Sequence, residues 1–365
     1  MIPVASPYLP SRERLDRYID GIYSRRWLTN NGPLLEELTT RLEDYLGVEN
    51  LLLVSNGTLA LQIAYRVLNI TGPGMKGADN ERPEVITTPF TFVATSSSLA
   101  WEGATPRFVD IDPTTWCMNP KGIRSAITHR TRGIVPVHVF GNGCDVDAID
   151  ELAAEYDLKV VYDGAHAFGV KHRGKSLLRA GDATTLSFHS TKLFHTIEGG
   201  AIVFRHREDL LRAQRMIGFG IKNPEEIDLL GINAKMNEFQ AAMGLCNLDE
   251  IEVNLGKRKK IWDLYTRELE PRYQLQEWHP ECTRNYAYFP LLFESESQAT
   301  AIQAHLLSNG CQARRYFYPS LDSIDFLGGG EAMPTSRDVA SRILCLPLQS
   351  DMDTESAQRI LACIP

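Results

Sequence analysis

The chain has no run of apolar residues approaching the ~18–20 that a membrane-spanning helix requires. Its first residues, Met1 to Arg14, carry proline and charge where a secretory signal needs an apolar stretch. Basic charge is not in excess: 38 Lys and Arg stand against 46 Asp and Glu, a net charge of −8. That balance leaves no global field for nucleic acid or an anionic membrane. The seven cysteines are scattered, odd in number and form no C-x-x-C pair. Neither a disulfide framework nor a cysteine metal cluster is therefore expected, and free thiols in a reducing compartment are. No two of His138, His166, His172, His189 and His195 stand at H-x-x-x-H spacing on one helix, so no metal site is expected. Two nucleotide signatures are missing as well, the G-x-x-x-x-G-K-[ST] loop and a G-x-G-x-x-G after the first strand. The expectation is a soluble cytoplasmic protein with neither nucleic acid nor membrane as partner.

What is present is an ordinary globular composition, 43% hydrophobic and 23% charged over 365 residues, enough for one large and one smaller domain. Pro33 to Leu46 reads as an amphipathic helix closed by Gly47. Leu51 to Val54 reads as a strand that turns at Ser55-Asn56-Gly57-Thr58 into a helix, Leu59 to Leu68, and Thr71 to Pro83 as a surface loop. Further strand-like runs are Val85 to Thr88, Thr105 to Val109, Gly133 to Val137, Lys159 to Tyr162, Thr184 to Phe188 and Ala201 to Phe204. Strands alternating with helices imply an α/β fold whose mostly parallel sheet is covered on both faces, with a local hairpin between the last two strands. Asn237 to Leu269 reads as one long helical stretch, followed by short strands and helices. The expected division is a large domain, residues 1–250, and a smaller C-terminal α+β domain, residues 251–365.

Lys192 follows an apolar strand, sits among Ser187, His189, Ser190 and Thr191, and precedes the turn Glu198-Gly199-Gly200. A lysine partly desolvated there has a lowered pKa and an amine able to attack a carbonyl. Asp163 ends another strand, where open α/β sheets bind ligands, and Gly164, Ala165 and His166 follow it. A Schiff-base lysine and an aspartate for a pyridinium nitrogen are what pyridoxal phosphate demands of a protein. Taken singly each residue has a plainer reading: Lys192 a solvated surface charge, Asp163 a helix N-cap, His166 a core histidine, and Gly57-Thr58 an ordinary helix start. Phe90, Phe92 and Trp101 read as core aromatics. Arg314-Arg315-Tyr316-Phe317-Tyr318 reads either as a clamp for a diphosphate and base or as an interface strand.

Seven ordered segments resemble the DegT/DnrJ/EryC1/StrS family of nucleotide-sugar aminotransferases, fold-type I pyridoxal phosphate enzymes. They are Trp27 to Pro33, Ser55 to Leu61, Pro89 to Thr95, Pro136 to Gly141, Tyr162 to Ala167, Ser187 to Gly200 and Gly231 to Glu238. The resemblance implies a seven-stranded, mostly parallel sheet between helices and pyridoxal 5′-phosphate as cofactor. It implies Lys192 as Schiff-base lysine and proton shuttle, Asp163 on the ring nitrogen, His166 on the phenolic oxygen and Phe92 on the ring face. Gly57, Thr58 and Ser187 would hold the phosphate, and Asn233 would reach the cofactor of a neighbouring subunit, making a homodimer with shared active sites. Thr29, His189, Lys235, Arg314, Arg315, Tyr316 and Tyr318 are the implied substrate contacts. Lys235 stands where many members carry Arg, and Ser190 where they carry Ala or Pro. Tyr162-Asp163-Gly164-Ala165 replaces the usual acidic-acidic-Ala-Ala run.

The Lys192 block, Gly231 to Met236 and Arg315 to Pro319 are most similar to the branch that makes dTDP-4-amino-4,6-dideoxyglucose from dTDP-4-keto-6-deoxyglucose. L-Glutamate is the amino donor there, and the product feeds O-antigen or related glycan synthesis. The alternatives are an aminotransferase for another keto sugar, at C3 or on another nucleotide, and a catalytically silent homologue. A dehydratase of this family would carry histidine in place of Lys192.

Overall fold

The computed structural model describes residues 1–72, 81–327 and 331–365. Seven strands form the main sheet: β1 (Leu51–Val54), β2 (Glu84–Thr87), β3 (Thr105–Phe108), β4 (Thr131–Val135), β5 (Lys159–Asp163), β8 (Ala183–Ser187) and β9 (Gly200–Phe204). Their order is β1-β9-β8-β5-β4-β2-β3. All neighbours from β8 to β3 run parallel, while β9 pairs antiparallel with both β8 and β1. The hairpin expected between the last two runs is thus β8–β9. Between β5 and β8 lies a small hairpin of β6 (Lys171–His172) and β7 (Lys175–Ser176).

Alternate residues of β1, β5, β8 and β9 enter two cores. Leu51, Leu53, Val160, Tyr162 and Leu186 join one apolar cluster; Leu52, Val54, Val161, Ala183 and Ile202 join the other. A sheet buried on both faces needs continuous apolar strands rather than alternating ones, and β1 is buried at all four positions. Helices α1 (Arg12–Arg25), α2 (Pro33–Leu46), α6 (Val146–Glu155) and α8 (Glu238–Asp249) bury residues in the first cluster. Helices α3 (Gly57–Val67), α4 (Ala94–Trp101) and α7 (Arg207–Met216) bury residues in the second. The short α5 (Ile123–Ala126) also sits in the first.

Two of the seven segments, Trp27 to Pro33 and Gly231 to Glu238, meet through one side chain. The Glu238 carboxylate, buried at the start of α8, accepts the N–H groups of Leu34 (3.1 Å) and Leu35 (3.0 Å) in the first turn of α2. A Cβ on Gly32 would lie 2.5 Å from that carboxyl carbon, so only glycine lets α2 approach its cap.

The long helical stretch divides at Glu250, whose φ of −113° and ψ of 5° separate α8 from α9 (Ile251–Leu269). Glu250 N–H bonds Asn247 one residue short of the helical partner, and its side chain is held by Tyr8 and Arg14. Beyond the hairpin β10 (Ile221–Asn223) and β11 (Glu226–Ile227), a second sheet of β12 (Gln274–Leu275), β13 (Phe289–Leu292) and β14 (Ile343–Leu346) is antiparallel throughout. It shares a separate apolar cluster with α9, α10 (Glu296–Ser308) and α12 (Thr354–Leu361), while α11 (Pro334–Arg342) packs towards the first. Ile2 pairs with Cys311, so the first residues of the chain pack on this C-terminal part.

Three readings change, the first being Phe92, which is 52% exposed rather than a core aromatic. Trp101 is 85% exposed rather than a core aromatic: α4 buries Thr95, Ser98 and Leu99, and Trp101 falls off that face. The loop expected over Thr71 to Pro83 falls mostly on residues 73–80, outside the described residues.

Candidate active site

The C-terminal ends of β1, β5 and β8 open on one cavity of about 310 Å³. It gathers Gly57, Thr58, Phe92, Asp163, His166, Ser187, His189, Lys192, Arg314 and Tyr316. These come from most of the segments singled out in the sequence and are brought together by the parallel sheet order.

Helix α3 begins at Gly57, two residues earlier than the pattern suggests, which puts Gly57 and Thr58 in its first turn. Asn56 caps the helix by accepting Leu59 N–H at 2.9 Å. First-turn N–H groups have no partner inside a helix, and they add to the positive end of its dipole, so this turn suits an anion. Close packing fixes the turn. A Cβ on Gly57 would stand 2.9 Å from Ser187 Cβ, and one on Gly200 would stand 2.7 Å from the Asn56 carbonyl. Ala234 O accepts Ser55 N–H at 2.8 Å and ties the Gly231 to Glu238 segment to the same turn.

Asp163 ends β5 and is buried. Its Oδ2 accepts Thr95 Oγ1–H at 2.7 Å and its Oδ1 accepts Ala165 N–H at 3.0 Å. Burial pushes its carboxyl above the usual range, against the pull of those two bonds and of Lys192. His166 Nδ1 accepts Phe140 N–H at 3.1 Å, so the neutral ring carries its proton on Nε2. Burial, and next the Lys192 charge, hold His166 well below its ordinary pKa, so the ring stays a neutral donor. Phe140, at φ 59°, and Phe317 stack with His166 at 6.1 and 5.8 Å.

Lys192 is half-buried, and burial lowers its pKa while Asp163 and then Tyr316 oppose the change. Its Nζ donates to the Tyr288 hydroxyl at 3.4 Å. His189 bonds Thr191 Oγ1 at 2.8 Å and lies 3.5 Å from Glu198 on the cavity wall. The Arg314 guanidinium lies 4.8 Å over the Tyr316 ring.

Five of the residues singled out lie elsewhere. Arg315 is tied to Glu296 and to Ser341 O, both at 2.7 Å, and Tyr318 stacks on its guanidinium at 3.5 Å. Asn233 is exposed and accepts Lys235 Nζ at 2.9 Å, while Lys235 lines a separate cleft with Asn30, Asn31 and Phe219. Thr29 is exposed, its carbonyl taken by Trp27. The cavity also contains Tyr288, which the sequence did not single out, and Phe317, Asn56 and Glu198, which it named only as members of longer segments. Tyr288 had no local signal, since it arrives from next to β13.

The "DegT/DnrJ/EryC1/StrS aminotransferase family" model matches residues 11–365. A dTDP-4-amino-4,6-dideoxy-D-glucose transaminase from Shigella dysenteriae is 39% identical, covering 99% of this chain and 97% of its own. One from Escherichia coli is 37% identical, covering 98% and 96%. The solved structure of DesI in the presence of its TDP-sugar product superimposes with a TM-score of 0.91 at 30% identity, covering 99% of this chain and 91% of that one.

Proposed function

The chain belongs to the DegT/DnrJ/EryC1/StrS aminotransferase family, and from that premise we propose that it moves an amino group from L-glutamate to C4 of dTDP-4-keto-6-deoxy-D-glucose. The products are 2-oxoglutarate and dTDP-4-amino-4,6-dideoxy-D-glucose, the latter for O-antigen or related glycan synthesis. The observation that carries this reading is the convergence of Lys192 Nζ, the Asp163 carboxylate and the first turn of α3 on one cavity. The identity to two transaminases named for that sugar supports the substrate.

The cavity fits pyridoxal phosphate. The Gly57–Ser187 contact leaves a floor that a larger side chain would fill, and the donors there are backbone N–H groups suited to phosphate. Each Asp163 oxygen receives one donor, leaving acceptor capacity for a protonated ring nitrogen. His166, whose Nε2–H would donate to a ring oxygen, and half-exposed Phe92, which would cover the ring face, both line the cavity. When bound, the cofactor supplies a carbonyl carbon that joins amines and a ring that accepts an electron pair.

This chain's own groups supply the rest. Lys192 Nζ, with its pKa lowered by burial, has a free lone pair in a larger fraction of molecules than an exposed lysine. It takes a proton from the amine-bearing carbon of the donor and, in the second half-reaction, delivers one to the sugar carbon. Asp163 would hold the cofactor's ring nitrogen in its protonated form. Arg314 and His189, at the cavity wall, are the polar groups assigned to substrate. Ping-pong kinetics follow.

Asn233 lies outside its own chain's cavity, and Phe219, Ile221, Ile227, Leu230 and Ile232 around it are exposed. Both features support a homodimer with shared sites. The Glu250 break and the separate C-terminal apolar cluster support the domain division at residue 250. The seven free cysteines support a reducing cytoplasm.

The purified protein should be yellow and bleach on adding glutamate, and Lys192→Ala should do neither. Incubation with dTDP-4-keto-6-deoxy-D-glucose should give an aminated product by mass spectrometry. Bleaching without that product would reject the sugar and leave the aminotransferase; equal bleaching by Lys192→Ala would reject both.

A further inference from the structure

Away from the cavity, His172, His279 and Glu281 come together from segments far apart in the chain. One nitrogen or oxygen from each lies within 4.8 Å of the others. His172 belongs to β6, and the segment carrying the other two is laced to it. Thr283 N–H donates to Lys171 O, Lys171 N–H to Thr283 Oγ1 (both 2.8 Å) and Arg173 N–H to Glu281 O (3.0 Å), with His172 bridged to Cys282. His279 is fixed through its backbone N–H, which donates to Asn142 Oδ1 at 2.8 Å. The two imidazoles meet edge to face at 5.2 Å.

The cluster contains an unexplained atom. His172 Nε2 is buried without a hydrogen-bond partner and faces Glu281 Oε2 at 3.7 Å. An unsatisfied buried polar atom costs about 1–3 kcal/mol, so native structures rarely keep one without use. Two imidazoles and a carboxylate are the donor set of a borderline divalent cation, and three protein ligands leave a position for water.

We propose that His172, His279 and Glu281 form a binding site for a divalent cation of the Zn²⁺ class, joining the β6–β7 hairpin to the segment that leads into β13. Tetrahedral ligation at ~2.1 Å places ligand atoms about 3.4 Å apart, so a pair at the 4.8 Å limit would close by at most roughly 1.4 Å. Glu281 is exposed and can supply that movement. Its Oε2 is shared with Arg173 Nε (2.8 Å) and Nη2 (2.6 Å), which leaves Oε1 for the metal. Ligation through His279 Nε2 would keep the bond from Glu281 N–H to His279 Nδ1, 3.3 Å, whereas ligation through Nδ1 would displace it.

The test is calorimetric titration of the cofactor-loaded enzyme with ZnCl₂ in a non-chelating buffer. One ion should bind per chain, and His172→Gln and His279→Gln should each weaken binding by about tenfold or more. Cys282→Ser should bind as wild type does. Zn²⁺ should raise the thermal midpoint of wild type but not of either histidine variant, with cofactor absorbance confirming that each variant is folded. Wild-type binding no tighter than that of the two histidine variants, or loss of binding in Cys282→Ser, would overturn the site.

Discussion

Tyr288 holds Lys192: the amine donates to its hydroxyl at 3.4 Å, while the phenol ring stands edge-on to His166 at 4.7 Å. Burial raises the phenol's pKa above its ordinary value, so it stays a neutral O–H at working pH. The contact can orient the amine but cannot ionise to replace it. Tyr288 is therefore a positioning residue.

Tyr288→Phe keeps the ring and removes the hydroxyl. One net hydrogen bond is worth about 0.5–1.5 kcal/mol, so kcat should fall about three- to tenfold. KM for the sugar should stay within about twofold, because the group acts through Lys192. A raised KM with unchanged kcat would instead make Tyr288 a substrate contact.

Gly57→Ala places a methyl 2.9 Å from Ser187 Cβ, and one of the two must move. Overpacking of this kind costs about 1–3 kcal/mol. Because the strain falls on the turn assigned to phosphate, affinity for pyridoxal phosphate should drop about tenfold or more. Titrating cofactor-free protein and following absorbance measures it, and unchanged affinity removes the turn from the binding role.

The strands were legible chiefly because a sheet covered on both faces favours apolar runs, and β1, β5 and β9 carry such runs, whereas the edge strand β3, Thr-Pro-Arg-Phe, is buried only at alternate positions. Asp163 and Lys192 were legible because each sits beside a strand end, with its neighbours in the same short segment. Tyr288 was not: it reaches Lys192 only once the C-terminal part packs on the sheet, and no local pattern encodes that. Trp101 misled because a tryptophan at the end of a helix reads as apolar whichever face it takes. Arg315 was left undecided because a basic–aromatic run looks the same whether its arginine faces a ligand or, as here, bonds Glu296.

His138 is fully buried, stacked on Tyr162 at 4.7 Å, with Nδ1 accepting Cys144 N–H and Nε2 unpartnered. Burial lowers its pKa from 6.5 to about 3. The folded value lies below the unfolded one, so between those pH values the unfolded chain takes up a proton that the folded chain refuses. The contribution is intact above pH 6.5 and is lost as pH falls towards 3, at up to ~1.4 kcal/mol per unit. Relative to His138→Phe, wild type should lose about 2 kcal/mol more stability between pH 6.5 and 5. Denaturant titrations at the two pH values test this, and parallel losses would refute it.

Thr95 sets the charge on Asp163. Burial pushes that carboxyl up, and the Thr95 hydroxyl at 2.7 Å is the first of the contacts that hold it down, ahead of Ala165 N–H and Lys192. Thr91 Oγ1, 2.9 Å from Thr95 Oγ1, keeps the hydroxyl in line. Thr95→Val keeps the shape and deletes the donor, so the carboxyl pKa rises. The ionised form, which the proposed contact with a ring nitrogen would require, is then lost at a higher pH. A hydrogen bond to a charged group is worth about 1.5–3 kcal/mol, so the acid limb of kcat/KM should move up by about one to two pH units. Thr95→Ser retains the hydroxyl and should keep the wild-type limb. A uniform loss of rate in Thr95→Val at every pH, with the limb unmoved, would show that Thr95 acts through packing rather than through the charge of Asp163.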